Sequence, residues 1–231
     1  MPYGIYEQYF KRMLDFVLSL AAIIVLWPIL LVVAILVRIK LGSPVIFSQK
    51  RPGKDEKIFR LHKFRSMTDE RGEDGELLPD DMRLTSFGKR LRNSSLDELP
   101  ELFDILVGNL SIVGPRPQLI RDMVFMSDRY RQRHDVMPGL TGLAQISGRN
   151  SIGWEEKLEY DLQYMKKITF RGDLMIILKT VKKALIDREG ITEDGIATAT
   201  DYGDYLLKNN RISKEIYDKK QKEAQQLSTE I

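Results

Sequence analysis

Residues Phe16–Val37 read FVLSLAAIIVLWPILLVVAILV and carry no charged side chain. A run of roughly 20 apolar residues is long enough to cross a lipid bilayer as a helix. No small-residue cleavage site follows the run, and Arg38 and Lys40 come next. We therefore expect the segment to stay in the protein rather than to be removed as a signal peptide. The sequence predicts attachment to a membrane.

Trp27 and Pro28 lie at the centre of this segment. Proline removes a backbone donor and clashes with the preceding turn, so a kink is expected there. Each half would be about 16 Å long, too short to cross a bilayer alone. Basic residues flank both ends of the segment, so the positive-inside rule gives no orientation. A spanning helix and a re-entrant helical hairpin both fit these residues.

The composition excludes several kinds of site and leaves the ligands of the basic residues open. The 231 residues suit one compact domain with an appendage, and the net charge of +3 gives no reason to expect a nucleic-acid partner. With no cysteine and two histidines, the chain has no disulfide, thiol nucleophile or multi-histidine metal centre. Two basic clusters fit either phosphate or lipid contacts or a solvated face: Lys89, Arg90 and Arg92, and Arg129, Arg131 and Arg133.

The rest of the chain predicts an α+β fold, mainly helical, with one β-hairpin. We divide it into a membrane segment with its flanks (1–41), a catalytic domain (42–200) and a polar C-terminal tail with a helix (201–231). The hairpin is expected at 45–49 and 58–64, a loop with helix fragments at 68–83, and a glycine-rich loop with a short strand at 138–148. Helices are expected at 96–107, ended by Gly108, and at 119–133, 154–167, 173–186 and 213–227.

One predicted helix has an apolar face that allows two interpretations. Leu174, Ile177, Leu178, Val181 and Leu185 share this face, with lysines largely opposite. Such a helix can lie on a membrane surface, or it can pack on the core of the domain.

Asp97 and Glu98 lie in the stretch SSLDELP, at the predicted start of a helix. One interpretation is structural, because Ser95 and Glu98 have the spacing of a capping box and acids favour the positive end of a helix. The other interpretation is chemical, because an ionised carboxylate here can attack phosphorus or hold a divalent cation. The residues alone leave both open.

Arg116 lies between two prolines in the stretch GPRP, which fix its backbone on both sides. Its planar guanidinium matches the geometry of phosphate oxygens, although a rigid surface turn has the same pattern. Lys63, Arg65 and Arg149 add cations near the ends of predicted elements. No P-loop, GxGxxG or HExxH motif is present. The remaining chemistry is phosphate chemistry by carboxylates, arginines and a hard cation.

Several stretches follow one another in a fixed order: FKRMLDF before the apolar segment, then SPVIFSQKRPG, KIFRLHKFRSM, LRNSSLDELPELFDILVGNLSIVGPRP, RHDVMPGLTGLAQISGRN and YDLQYMKK. In this combination the chain resembles the bacterial sugar transferase family, in particular its small monotopic phosphoglycosyl transferases. The resemblance covers Tyr9 to about Ala199, and no landmark is disrupted. The segment after about Thr200 lies outside it.

The resemblance implies a membrane topology. The apolar segment would form a re-entrant helix broken at Pro28. The N-terminus and the catalytic domain would then both lie on the cytoplasmic face of the bacterial inner membrane.

The resemblance also implies a reaction. Asp97 would attack the β-phosphorus of a UDP-sugar, release UMP and carry the phosphosugar until undecaprenyl phosphate takes it, in a ping-pong mechanism. Mg²⁺ would contact Asp97 and the diphosphate, and Glu98 would orient this catalytic region. Lys63, Arg65, Arg116 and Arg149 would bind the phosphates, and Gln145, Asn150 and Asp161 match further family positions. Downstream glycosyltransferases are expected partners.

Two other functions fit the same residues. A membrane-bound transferase acting by direct displacement would use the carboxylates as metal ligands and general base. A non-catalytic protein anchored in the membrane would use its basic clusters to bind lipid or a partner.

Overall fold

The computed structural model of the protein describes residues 4–148, 152–183 and 200–229. Within these ranges the chain forms helices α1 to α11 and four short strands, β1 to β4. The mainly helical α+β class expected from the sequence is confirmed. Arg149 and Asn150, two of the expected phosphate-binding residues, lie outside the described residues.

Helix α1 extends from Lys11 to Lys40 after a single π-helical turn at Tyr6–Phe10. It continues through Pro28 as one helix. The structure therefore does not show the break that was expected at this proline. By length and apolar composition, the unit Tyr6–Lys40 is capable of crossing a membrane.

One face of α1 packs on the rest of the protein along most of the helix. Its buried residues begin with Lys11, Asp15 and Ser19 and end with Val33 and Val37. The opposite face is apolar and lacks a protein partner in the described chain. Its large exposed side chains are Phe16, Val17, Leu18, Leu20, Ile24, Val25, Trp27, Ile29, Leu31, Val32, Ile35, Leu36 and Ile39. This unbroken apolar surface fits a lipid environment.

The predicted β-hairpin is confirmed. Strand β1 (Ile46–Pro52) pairs antiparallel with β2 (Ile58–Phe64), and Ile46 lies opposite Phe64. Strand β1 continues to Pro52, beyond the residue at which the turn was expected to begin. The last residues of β2 bring Phe64 beside the inner face of α1 and Lys63 beside Glu98.

A second, parallel pair joins β3 (Ser111–Val113) to β4 (Gly139–Thr141). The backbone amide of Gly114 donates to the Thr141 carbonyl at 2.8 Å. A Cβ atom at Gly139 would lie 2.0 Å from the Gly114 nitrogen, so only glycine fits. This contact fixes the backbone immediately before the GPRP stretch reaches Arg116.

The helix expected at 96–107 is confirmed in position, but it has two parts. Leu96–Glu98 is a 3₁₀ turn, and α4 (Glu101–Val107) follows it and ends at Gly108, which has a φ of 95°. The remaining helices of the domain are α2 (Asp80–Arg83), α3 (Ser86–Asn93), α5 (Ile120–Met123), α6 (Asp128–Arg131), α7 (Leu143–Ser147), α8 (Trp154–Lys166) and α9 (Phe170–Lys182).

Two predictions made from the sequence pattern were incomplete. The single helix expected at 119–133 is divided into α5, α6 and a 3₁₀ turn at Gln132–Asp135. Ser127 has extended backbone angles between α5 and α6, which interrupts the helical repeat. Helix α7 lies in the stretch expected to be a glycine-rich loop, where the predicted short strand is also present as β4.

Helix α9 shows which face of the 173–186 segment is buried. Asp173 and Ile176 are buried, whereas Leu174, Leu178 and Val181 from the apolar face are exposed. Leu185 lies outside the described residues. Ile177, from the same face, is half-buried and packs against the core cluster that contains Ile176. Packing on the core is therefore confirmed for Ile177, whereas contact of the exposed residues with a membrane surface stays a prediction.

The C-terminal segment contains α10 (Tyr202–Lys208) and α11 (Lys214–Thr229), of which only the second was expected. Both helices pack on α5. The C-terminal segment is therefore docked on the part of the chain that contains α5.

Asp15 joins α1 to β3 by two hydrogen bonds. Its side chain accepts from the Ser111 hydroxyl at 2.7 Å and from the Ile112 amide at 3.0 Å. In Asp15→Ala the Ile112 amide loses its partner and the Ser111 hydroxyl keeps only the Val113 carbonyl, so we expect the variant to destabilise the protein by about 1–3 kcal/mol. Thermal unfolding in detergent measures this loss, and Asp135→Ala, at an exposed aspartate, is the control. Equal melting temperatures for both variants would contradict the assigned anchor.

Candidate active site

Asp97 lies at the centre of the 3₁₀ turn that precedes α4. The turn begins after Ser95, whose φ of 55° places it in the left-handed region and turns the chain sharply. The Asp97 side chain is only 7% exposed, and its Oδ1 atom is buried without a hydrogen-bond partner in the described chain. A carboxylate oxygen with no protein partner is available to a ligand.

Glu98 is held between two cations. Lys63, at the end of β2, donates to its Oε1 at 2.8 Å, and Arg116 of the GPRP stretch donates to the same oxygen. Ser95 makes no side-chain cap to this turn. The capping-box interpretation is therefore wrong, because the left-handed Ser95 is unsuitable as a cap and the Glu98 carboxylate is directed to Lys63 and Arg116.

The two neighbouring carboxylates have opposite pKa shifts. Burial and the negative charge of Glu98 raise the pKa of Asp97 to about 6. Burial acts in the same direction on Glu98, but the charges of Arg116 and Lys63 outweigh it and hold the pKa of Glu98 well below its usual range. Glu98 is therefore the fixed anion of the pair, whereas Asp97 is the group that a nearby cation would fully ionise.

Glu101 is a third carboxylate that the sequence reasoning missed. It is 1% exposed, and its Oε1 atom lies 3.1 Å from Lys63 Nζ. Burial, together with the charge of Glu98, raises its pKa to about 7. Its spacing of three residues from Glu98 on a predicted helix was a signal that could have identified it.

Arginines supply further positive charge near the carboxylates. Arg92, on α3, donates to the Ser66 hydroxyl at 2.8 Å, and its charge opposes the upward pKa shift of Asp97. Arg51, on β1, donates to the Pro117 carbonyl at 3.2 Å, and burial and the charge of Arg116 lower its pKa to about 10. Sequence reasoning had placed Arg92 only in a basic cluster and had not selected Arg51.

Arg116 is fixed through its backbone as well as its side chain. Its carbonyl accepts from Arg133 at 2.6 Å, and Arg133 is paired with Asp161 at 2.7 Å. Arg133 and Asp161 are both 2% exposed. Asp161 is therefore connected to Arg116 through Arg133. The Oδ1 atom of Asp161 has no partner in the described chain.

The other predicted site residues are in different surroundings. Gln145, on α7, buries the oxygen and the nitrogen of its amide without a described partner, close to Gly142. An unpartnered buried amide is a candidate ligand-binding group. Arg65 donates to the Leu41 carbonyl at the end of α1 and to Asp69, so the structure gives it no contact with Asp97 or Glu98.

The donor set fits a magnesium ion that is shared with a substrate. Among the described residues there is no group of three His, Asp or Glu side chains able to hold a metal. Mg²⁺ typically uses one or two carboxylates together with substrate phosphates rather than a protein cage. The unpartnered oxygen of Asp97 provides one such ligand. The arrangement as a whole offers a carboxylate oxygen beside cations suited to phosphate.

The raised pKa of Asp97 gives a test by stability. The folded state holds the proton more tightly than the unfolded chain, whose pKa is the ordinary 3.8, so stability is lost as the pH rises from about 4 through about 6. In EDTA, Asp97→Asn should be more stable than the wild type at pH 8, by up to about 3 kcal/mol. At pH 4 the two proteins should have the same free energy of unfolding.

Thermal unfolding across this pH range measures the difference, with Asp135→Asn as the exposed control. If the melting temperatures of Asp97→Asn and the wild type differ by the same amount at every pH, titration of Asp97 is not the cause of the difference.

The site residues lie in a part of the chain that matches a known protein family. The family model described as bacterial sugar transferase matches residues 6–187, which include every described site residue. The uncharacterized sugar transferase EpsL of Bacillus subtilis (strain 168) is 46% identical over 189 residues, covering 82% of this chain and 93% of that protein.

Two relatives carry names that state a reaction. The UDP-glucose:undecaprenyl-phosphate glucose-1-phosphate transferase of Klebsiella pneumoniae is 42% identical, covering 78% of this chain and 41% of its own. The UDP-N-acetylgalactosamine-undecaprenyl-phosphate N-acetylgalactosaminephosphotransferase of Aeromonas hydrophila is 36% identical, covering 80% and 45%. This chain thus spans less than half the length of both. Since the family model matches most of the sequence, the chain belongs to the bacterial sugar transferase family.

Proposed function

We propose that this protein transfers a sugar 1-phosphate from a UDP-sugar to undecaprenyl phosphate, releasing UMP. Sugar-phosphate transfer to undecaprenyl phosphate is stated in the names of the relatives from Klebsiella and Aeromonas. The observation that carries the proposal to this chain is the buried Oδ1 of Asp97, which lacks a described partner and lies in a turn next to Lys63 and Arg116. A non-catalytic binding protein gives no reason for that arrangement.

In the proposed first step, Asp97 acts as the nucleophile. Its carboxylate oxygen forms a bond to the β-phosphorus of the UDP-sugar, the bond from that phosphorus to the bridging oxygen breaks, and UMP leaves with the electron pair. The enzyme then carries the sugar phosphate as an acyl phosphate. Covalent catalysis allows one site to serve a soluble donor and a lipid acceptor in turn.

In the second step, an oxygen of undecaprenyl phosphate attacks the same phosphorus, and the bond to Asp97 breaks. The product is the undecaprenyl diphosphate sugar, and the carboxylate is regenerated without a proton being consumed. The acceptor is already anionic, so this step needs no general base. Glu98, paired with two cations, is suited to hold them in place.

Phosphoryl transfer depends mainly on position and on stabilising spread negative charge. Lys63 and Arg116 are already held on Glu98 before substrate arrives, and Arg92 lies close enough to affect Asp97. Mg²⁺ held by Asp97 and the diphosphate would add Lewis-acid stabilisation of the departing phosphate. Gln145 offers a neutral donor and acceptor to the sugar or nucleotide.

Isotope exchange separates the covalent mechanism from direct displacement. With the UDP-sugar, Mg²⁺ and labelled UMP but no lipid acceptor, the covalent route should return label to the UDP-sugar, because the first step is reversible. Asp97→Asn should abolish this exchange as well as net UMP release. Direct displacement requires the acceptor, so absence of exchange in an enzyme that turns over with undecaprenyl phosphate would exclude the aspartyl intermediate.

The membrane topology is a second part of the proposal. We infer that α1 attaches the protein to one leaflet and leaves both its ends on the cytoplasmic side. Near one end Lys11 pairs with Asp173 at 2.6 Å, and near the other Val37 packs with Phe64 and Leu91. A helix docked on the domain at both ends cannot place one end across the bilayer without losing these contacts. This support does not depend on a break at Pro28.

Cysteine labelling tests the topology, since the native chain has no cysteine. Ile5 and Glu73 are exposed and lie before and after α1. In intact cells an impermeant thiol reagent should miss both Ile5→Cys and Glu73→Cys, and after permeabilisation of the membrane it should reach both. Labelling of Ile5→Cys alone in intact cells would establish a spanning helix and overturn the one-leaflet attachment.

A further inference from the structure

The segment 200–229 lies beyond residue 187, where the family match ends, yet it is attached closely to the catalytic part of the chain. Among the described residues, it contacts the region immediately after the GPRP stretch and the N-terminal end of α8. The first region follows Arg116 in the chain, and the second begins the helix that contains Asp161. The attachment is therefore connected to residues of the site as well as to the stability of the fold.

Asp122 joins the C-terminal segment to the GPRP side. One oxygen of this carboxylate accepts from the Leu119 amide at 3.1 Å, and the other accepts from the Tyr202 amide at 2.9 Å. Asp122 is 2% exposed, so these bonds are shielded from water. Leu119 follows Arg116 by three residues, and its backbone is therefore tied to the C-terminal segment through a single buried group.

Helix α10 is inserted between α5 and α8. Tyr202 and Leu206 are buried with Met126 and Leu158, and the Tyr202 ring lies 5.2 Å from that of Trp154. The Trp154 indole also donates to the Thr200 carbonyl at 2.9 Å. Trp154 is the first residue of α8, the helix that also contains Asp161. The segment that contains α10 thus contacts both the start of α8 and α5.

Helix α11 completes the attachment from the other side of α5. Ala224 is 4% exposed and packs with Ile120, Met123 and Val124. Near the end of the helix, Lys50 of β1 donates to the Ser228 carbonyl at 2.7 Å. The next residue of β1, Arg51, donates to the Pro117 carbonyl, so the same strand contacts both the C-terminal helix and the GPRP stretch.

We propose that residues 200–229 are a positioning element that fixes the backbone carrying Arg116 and the N-terminal end of α8 for binding of the UDP-sugar. This inference rests on the proposed function. The segment itself needs no contact with substrate, because it acts through Asp122, α5 and Trp154. Its removal from α5 would take the Tyr202 amide away from Asp122 and expose to water the carboxylate that caps the Leu119 amide. The turn that follows Arg116 would then be held less firmly, so the KM for the UDP-sugar should rise more than kcat falls.

Two adjacent substitutions on α11 give a matched test in the full-length protein. Ala224→Glu places a charge in the buried contact with α5, whereas Gln225→Glu places the same charge on the exposed face one residue later. Hydrogen exchange should accelerate by at least about tenfold in peptides covering Leu119 for Ala224→Glu alone. The same variant should show a several-fold higher KM for the UDP-sugar in UMP-release assays. Gln225→Glu should match the wild type in both measurements.

Gly203 provides a second variant in case Ala224→Glu does not fold. A Cβ atom at this position would lie 2.5 Å from the Phe125 ring, so Gly203→Ala should displace α10 although alanine favours helix. Phe125→Leu in the same chain removes that ring and should return the KM toward the wild-type value. A double variant no better than the worse single one would count against the proposed contact.

The result that overturns the inference is specific. If exchange shows α11 undocked while the peptides covering Leu119 and the KM remain at wild-type values, the segment has no positioning role. If the wild type releases no UMP from any UDP-sugar, the proposed function fails instead. In that case the exchange measurement still decides whether the segment holds the Leu119 backbone.

Discussion

The structure of the site depends on the pairing of Glu98 with two cations. A buried carboxylate is costly unless it is paired and hydrogen-bonded, and Lys63 and Arg116 provide that compensation together. The three residues come from the end of β2, the 3₁₀ turn and the GPRP stretch, which are distant in sequence. The pairing therefore determines where these segments meet. Both cations bind Glu98, and the neighbouring Asp97 keeps its Oδ1 atom without a described partner.

The GPRP stretch reaches Glu98 in a conformation that the surrounding backbone imposes. Gly139 allows β4 to approach Gly114 more closely than any side chain would permit. Beyond it, Arg133 binds the Arg116 carbonyl and is itself neutralised by Asp161. Preorganisation of this kind lowers the cost of arranging charges during reaction. Asp161 thus supports the position of Arg116 through Arg133 and needs no contact with substrate.

The sequence predicted the local features and could not predict the long-range ones. The hairpin and the helix stop at Gly108 follow from turn residues and from glycine at a left-handed position, so they were predictable. The capping-box interpretation of Glu98 failed because it considered only neighbours in sequence, whereas the partners of Glu98 lie 18 and 35 residues away. Arg51 was missed for the same reason, since only the fold brings it to Pro117. Whether the helix breaks at Pro28 depends on what packs around it, which the presence of a proline alone does not determine.

The same turn that presents Asp97 and Glu98 also connects the site to α1. Leu96 and Leu99 flank the two acids and pack in the cluster formed by Val33, Val37 and their neighbours. The two acids of this short segment thus belong to the candidate site, and the leucines on either side of them pack towards the inner face of the apolar helix. Since the outer side of α1 is fitted to lipid, the distance from the membrane to the carboxylates is set by a single packed layer. Under the proposed function, this arrangement would bring Asp97 close to an acceptor whose phosphate lies at the membrane surface.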